Sequence, residues 1–229
     1  MPRRPRTGSG GHVFHVLNRA ALRAPLFARD RDYASFEALL VEARSRIDLP
    51  LLAYALMPTH FHLVVWPRED RDLAEFMRWL TQTHTQRVRT RTRTIGTGTL
   101  FQGRYKSFPV QHDDHFYRVC RYVERNALRA GLCTRAEDWP WSSVGQPGGN
   151  CATVPIDTWP IPRPSDWLER VNVPQSEAEL ADLRRAVRRS APFGTEVWAA
   201  STASALGWRV RKPNRGSSPP RPDDVAALF

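Results

Sequence analysis

Cysteine is scarce in this chain of 229 residues: Cys120, Cys133 and Cys151 stand far apart. They make neither a zinc knuckle nor a disulfide framework, which excludes the small cross-linked class and fits a reducing cytosol. Lysine is nearly absent, with Lys106 and Lys212 the only two. Long apolar runs are missing too, and none approaches the roughly 20 residues of a membrane-spanning helix. The start, MPRRPRTGSGG, is basic without an apolar signal core and reads as a flexible arm over residues 1–11. A cytoplasmic protein with no membrane partner is the expectation. Acidic residues are missing from one long stretch, since none lies between Phe76 and His112.

The charge that is present is mostly arginine, and the net value is +11. Arginine matches phosphate bidentately and stacks on bases, so this excess points to nucleic acid. A GC-rich coding bias that raises Arg, Ala and Pro together is the competing explanation. The acid-free stretch carries Arg78, Arg87, Arg89, Arg91, Arg93, Arg104 and Lys106, with Trp79, Phe101 and Tyr105 interleaved. Its sub-run RVRTRTRT repels itself and cannot enter a core. It is either a solvated face or a phosphate-binding surface, and the aromatics favour the second.

Hydrophobic periodicity sets out the elements. Residues 12–18 alternate and read as a strand, with His12 and His15 taken as structural or solvent-facing. Arg29 to Ile47 has a helical period, with Asp30 or Asp32 as cap. Leu49–Leu56 and His60–Trp66 are strands whose short link suits an antiparallel pair, Pro58 being tolerable there. Asp70 opens a second helix. A fourth strand lies within Arg104–Gln111, and a helix from Asp113 or Asp114 runs to about Ala130, closed by Gly131. The order β-α-β-β-α-β predicts an α+β fold: a ferredoxin-like split βαβ antiparallel sheet with helices on one face.

Beyond it, residues 145–165 are rich in Pro and Gly and read as a linker. Residues 166–208 read as a helical module with two helices. Ser176 and Glu179 form a capping box for the first, and Thr195–Leu206 is the second. Arg184, Arg185, Arg188 and Arg189 give the first a basic face. Residues 209–229 are Pro- and Arg-rich and read as a disordered tail. The main domain is therefore expected over 12–144.

Two stretches carry candidate chemistry. In His60-Phe61-His62 the residues two apart share one strand face, so the two imidazoles point together. They can form half of a metal site, or simply hydrogen-bond. Tyr122 and Asn126 are four apart and share a helix face. Projected towards the His pair, they would add a nucleophilic oxygen and an amide ligand. They could equally be a half-buried aromatic and a helix end. Tyr117 is a rival nucleophile that lacks an Asn four residues on. A zinc hydrolase would need a third His, Cys or acid, and none is placed for it.

The stretch MPTHFHLVV resembles the His-hydrophobe-His motif of single-tyrosine HUH transposases. HVFHVLNR, YALMPTHFHLVVWP, DLAEFMRWLTQTHTQ, GTLFQGRYKSFPV, RYVERNALRAGL and WPWSS follow in the order of the REP-associated tyrosine transposases, over roughly residues 10–145. The resemblance implies a transposase that cleaves and rejoins hairpin-associated single-stranded DNA through a 5′-phosphotyrosine bond. It implies Mg²⁺ or Mn²⁺ as cofactor, His60, His62 and Asn126 as metal ligands, Tyr122 as nucleophile, and a monomer or homodimer. Two positions depart from the family pattern. Ala127 replaces a proline after the Asn, and Glu124 stands where an uncharged residue is common. Neither removes a reacting atom. A DNA-binding relative that no longer cleaves is the alternative.

Overall fold

The computed structural model describes residues 10–21, 24–96, 98–145 and 154–208. Most of the expected basic arm and all of the expected tail lie outside these residues. Four strands, β1 (Val13–Arg19), β2 (Leu51–Met57), β3 (His60–Val65) and β4 (Lys106–Val110), form one antiparallel sheet in the order β2-β3-β1-β4. This is the split βαβ arrangement, with β3 inserted between the parallel pair β1 and β2.

The crossover helices α1 (Asp30–Arg46) and α2 (Asp72–Thr92) lie together on one face. There Tyr33, Phe36, Leu39 and Leu40 of α1 and Phe76, Met77 and Leu80 of α2 meet Phe14, Val16, Phe61 and Leu63 of the sheet. Asp32 accepts from the backbone N–H groups of Ala28 and Arg29, which closes the start of α1. In α2 that task falls to Asp72, which accepts from Arg68 and Glu69, so the helix opens two residues beyond Asp70. Asp70 instead accepts from the N–H of Gly10.

His84 of α2 is buried among Phe27, Phe36 and Phe101. Burial, with help from Arg91 and Arg87 against Asp32, lowers its pKa to about 4. The unfolded chain therefore holds the proton more tightly. The resulting stability is complete above the ordinary value of 6.5 and is lost as pH falls towards 4. The shift corresponds to about 3 kcal/mol. Denaturant unfolding at neutral and acid pH is expected to show an acid loss smaller by about that amount in His84→Gln.

The opposite face carries α3 (Asp114–Glu124), the short α4 (Asn126–Arg129), α5 (Trp167–Asn172), α6 (Glu177–Arg189) and, further on, α7 (Glu196–Ala205) follows α6 in the chain. The helix expected to run unbroken to Ala130 is interrupted at Arg125. There ψ is −3° and the guanidinium is anchored on the carbonyls of Val171 and Asn172. α5 is an additional helix of six residues, too short to show a period. The capping box on α6 forms as expected: Ser176 Oγ accepts from Glu179 N–H at 3.2 Å, and Glu179 accepts from Ser176 N–H at 2.9 Å.

The expected linker is packed over its described part. Asp157 bonds both ways with the backbone of Leu51, and the indole of Trp159 donates to Leu52 O at 2.8 Å. Trp139, Trp141 and Ser143 bond the rest of β2's outer edge. At the other edge, Phe193 exchanges backbone bonds with Pro109 and Gln111 of the β4 segment. Gly194 permits this approach, since an added Cβ would lie 2.5 Å from atoms of Gln111 and Trp198. Both edges that could template aggregation are thereby closed. Among the described residues, no helix is long and apolar enough to cross a membrane.

Candidate active site

Strand register brings the imidazoles together. His62 lies opposite Leu17 of β1, His60 opposite Arg19, and His15 opposite Val64. Directly paired residues share a face, so His15, Leu17 and Arg19 stand with His60 and His62 on the α3 side of the sheet. The two rings of the pair are 5.0 Å apart between centroids. Both are buried.

Their hydrogen bonds follow one pattern. His62 Nδ1 meets His15 Nε2 at 2.9 Å, and His60 Nδ1 meets the Thr59 hydroxyl at 3.2 Å. The Nε2 atom of each is buried with no hydrogen-bond partner. Buried polar atoms are nearly always satisfied, so two orphaned nitrogens side by side require an explanation. Burial holds both rings neutral. His60 falls to about 3 through burial and then Arg19 and Arg129, and His62 is held well below its ordinary value, again chiefly by burial. A neutral imidazole with one nitrogen held and the other open is the form that ligates a metal.

Tyr122 of α3 comes down onto the pair, its ring centroid 5.8 Å from that of His62 and 6.1 Å from that of His15. It is fully buried. Burial raises its pKa, while Arg129, Arg184 and Arg19 act in the opposite sense. The Arg129 guanidinium stacks 4.4 Å from the Tyr122 ring centroid and donates to Asn126 Oδ1 at 3.1 Å. Asn126 is buried, and its Nδ2 has no partner. Tyr117 points elsewhere, among Phe116, Trp159 and Trp167, and donates to Pro162 O.

Glu124, the unusual residue of this helix, faces away from the site. Its carboxylate accepts from Ser143 Oγ at 2.6 Å and Trp167 Nε1 at 2.7 Å, so it fastens α3 to the C-terminal segment.

The expected DNA-contacting residues do not gather in one place. Arg87 pairs with Glu42 at 2.6 Å and Arg91 with Asp32 at 2.9 Å, both on α1. Arg89 bonds the carbonyls of Thr94 and Gly98, and Arg93 closes α2 with φ +55°. Arg78 and Arg104 are exposed. Lys106 faces the same side of the sheet as His62, across Leu17. The composition-based reading missed His15, Arg19 and Arg129. For His15 and Arg19 the signal was the alternation along β1 once β1 and β3 are neighbours.

A ferredoxin-like α+β protein with a buried His pair facing a helix-borne tyrosine is thus the class that fold and site define. The chain belongs to the IS200-like transposase family, whose model matches residues 10–126. It is therefore a member of a family of DNA transposases. The fold is similar to the solved structure of a REP-associated tyrosine transposase bound to a REP hairpin. The TM-score is 0.52 at 19% identity, over 62% of this chain and 82% of that one. A putative transposase from Deinococcus radiodurans R1 matches with TM-score 0.39 at 15% identity, over 57% of this chain and 95% of that one. No curated protein matches the sequence.

Proposed function

We propose that the chain is a metal-dependent transesterase that cleaves and rejoins hairpin-associated single-stranded DNA. Tyr122 is its nucleophile, and His60, His62 and Asn126 are its metal ligands. The observation that carries this reading is the pair of open, buried Nε2 atoms beside the tyrosine ring. The donor set fits Mg²⁺ or Mn²⁺: two neutral imidazoles and an amide oxygen leave positions for substrate oxygens. Among the described residues no group of three His, Cys, Asp or Glu side chains is disposed to hold a metal ion, which is what a protein-ligated zinc centre takes. A bound divalent cation supplies the charge that polarises the scissile phosphodiester.

The chain's own residues do the rest. Tyr122 Oη forms a bond to phosphorus as the bond from phosphorus to the 3′-oxygen breaks. The proton lost by the phenol is balanced by the one that the 3′-oxygen gains. The phosphodiester energy is kept in the tyrosine ester, so rejoining needs no nucleotide cofactor. Arg129, Arg184 and Arg19 favour the phenolate against the effect of burial. Arg129 lies over the ring and must swing aside to admit a strand. Both halves of the site come from one chain, which supports a site assembled in cis, in a monomer or in each copy of a homodimer.

His15 has a positioning role here. With His62 ligating through Nε2, its Nδ1 would carry the proton and donate to His15 Nε2, 2.9 Å away, which fixes the ring. His15→Phe is expected to weaken Mn²⁺ binding in calorimetry by ~10–100-fold, the usual cost of losing such a partner. Unchanged affinity would remove that role.

The complete burial of Tyr122 under Arg129 also suits a relative that binds DNA without cleaving it. One experiment separates the two. The full chain is incubated with hairpin-bearing single strands from the flanks of its own gene and resolved on a denaturing gel. A covalent adduct that forms with Mn²⁺ and disappears with EDTA supports cleavage. Retarded DNA with no adduct under any divalent ion supports the binding-only reading.

A further inference from the structure

α3 carries Tyr122 in its last turn and ends two residues later at Glu124. The interruption at Arg125 makes this a helix end, and helix ends fray. Val119, Cys120 and Val123 of α3 share one apolar cluster with Leu52, Ala53 and Ala55 of β2. That attraction is non-directional, so it opposes sliding or rotation of a helix end only weakly. Hydrogen bonds have direction, and those of Glu124 supply it.

Each oxygen of the Glu124 carboxylate begins a separate chain of contacts, and both chains end on the backbone of β2. Oε1 accepts from Ser143 Oγ at 2.6 Å, and Ser143 Oγ in turn accepts from the N–H of Tyr54 at 3.1 Å. Oε2 accepts from Trp167 Nε1 at 2.7 Å. The Trp167 indole stands edge-on to that of Trp159, with 4.9 Å between centroids, and Trp159 Nε1 donates to Leu52 O at 2.8 Å. Tyr54 and Ala55 are the β2 partners of Leu63 and His62. The helix that bears the tyrosine is thereby tied to the strand paired with the one that bears His60 and His62. Glu124 is buried, and both of its hydrogen-bond partners are neutral. Burying a carboxylate in this way is costly, and packing alone would be served by an apolar side chain.

We propose that Glu124 is a positioning residue for the cleavage reaction: by fixing the end of α3 against β2 at two points, it holds Tyr122 in place against the His60 and His62 pair. The proposal rests on the reading of Tyr122 as the nucleophile. It also gives Ser143 and α5 a part in the reaction, because they supply the two donors that the carboxylate needs.

The test measures, on the full chain, the single-turnover rate of adduct formation at saturating hairpin-bearing single strand and Mn²⁺. Affinity for the same strand is measured beside it by fluorescence anisotropy in EDTA. Glu124→Leu fills the space and removes both hydrogen bonds. It is expected to lower the rate ~10²-fold, the scale for a reacting group displaced by about 1 Å, while DNA affinity stays within about twofold of wild type. Glu124→Gln keeps the shape. Its amide oxygen can accept from Trp167, and its amide nitrogen can donate to Ser143 Oγ while the Ser143 hydrogen turns to Tyr54 O, 3.3 Å away. This variant should bring the rate back to within about threefold of wild type. A carboxylate that serves stability alone predicts instead that folded Glu124→Leu reacts at the wild-type rate. Where Glu124→Leu fails to fold, Trp167→Phe carries the test: it removes one bond, keeps a ring in place and should lower the rate ~10-fold. A wild-type rate in the folded variant overturns the positioning role. So does a fall in rate matched by an equal fall in DNA affinity, or a Glu124→Gln rate as low as that of Glu124→Leu. In each of these cases wild type still forms adduct, so the cleavage reading stands. Wild type that forms no adduct with any divalent ion overturns the cleavage reading itself, and the positioning role with it.

Discussion

Tyr122→Phe is expected to abolish covalent capture of DNA while the variant still binds the strand. The loss should be ~10⁴-fold or more, the scale seen when an enzyme loses its nucleophile. Only Oη is removed. The ring that packs against His15 and His62, and on which the Arg129 guanidinium stacks, stays in place. Phenylalanine therefore keeps the packing, and the fold should survive with stability changed by about 1 kcal/mol. Tyr117→Phe is the matched control, because its hydroxyl lies among the tryptophans and bonds Pro162 O. It should retain full adduct formation. The measurement is a denaturing gel of labelled DNA together with mass spectrometry of the captured peptide. An adduct that persists in Tyr122→Phe and maps to another residue would remove Tyr122 from the chemistry. Strand cleavage without any adduct would point to water as nucleophile.

Much of this site's geometry is legible in the sequence, for reasons that are local. A strand fixes residues two apart on one face, so His60 and His62 had to point together wherever the strand lay. Tyr122 and Asn126, four apart, are expected on one helix face; the helix breaks between them at Arg125, and Arg129, stacked on the ring and donating to Asn126 Oδ1, links the two. The capping box at Ser176 and Glu179 is local in the same sense. What escaped depends on contacts between distant segments. His15 joins the site only because β1 lies beside β3, a pairing that no property of residues 12–18 encodes alone. Arg87 and Arg91 looked free for phosphate because the acids that engage them, Glu42 and Asp32, belong to another helix. The Pro-rich stretch read as a linker contains Asp157 and Trp159, whose hydrogen bonds to β2 turn it into an edge cover.

His60→Leu separates a functional imidazole from a packing one, because the two roles predict opposite signs. At neutral pH His60 is uncharged, since burial and then Arg19 and Arg129 lower its pKa to about 3. Its Nε2 is buried without a partner, which costs about 1–3 kcal/mol in the free protein. Leucine fills much of the same space and removes the unsatisfied atom. Its other nitrogen loses only the partly buried Thr59 hydroxyl. Metal-free His60→Leu should thus be at least as stable as wild type, by up to about 1 kcal/mol in denaturant unfolding. The same change should lower Mn²⁺ affinity by more than the ~10–100-fold expected for His15→Phe, because a ligand is lost where His15 only orients one. Adduct formation should fall to background with it. A protein that keeps a destabilising arrangement at its reactive site is trading stability for function. A variant that unfolds more easily and binds Mn²⁺ as wild type does would show that the pair is core packing, and the metal assignment of His60 would fall.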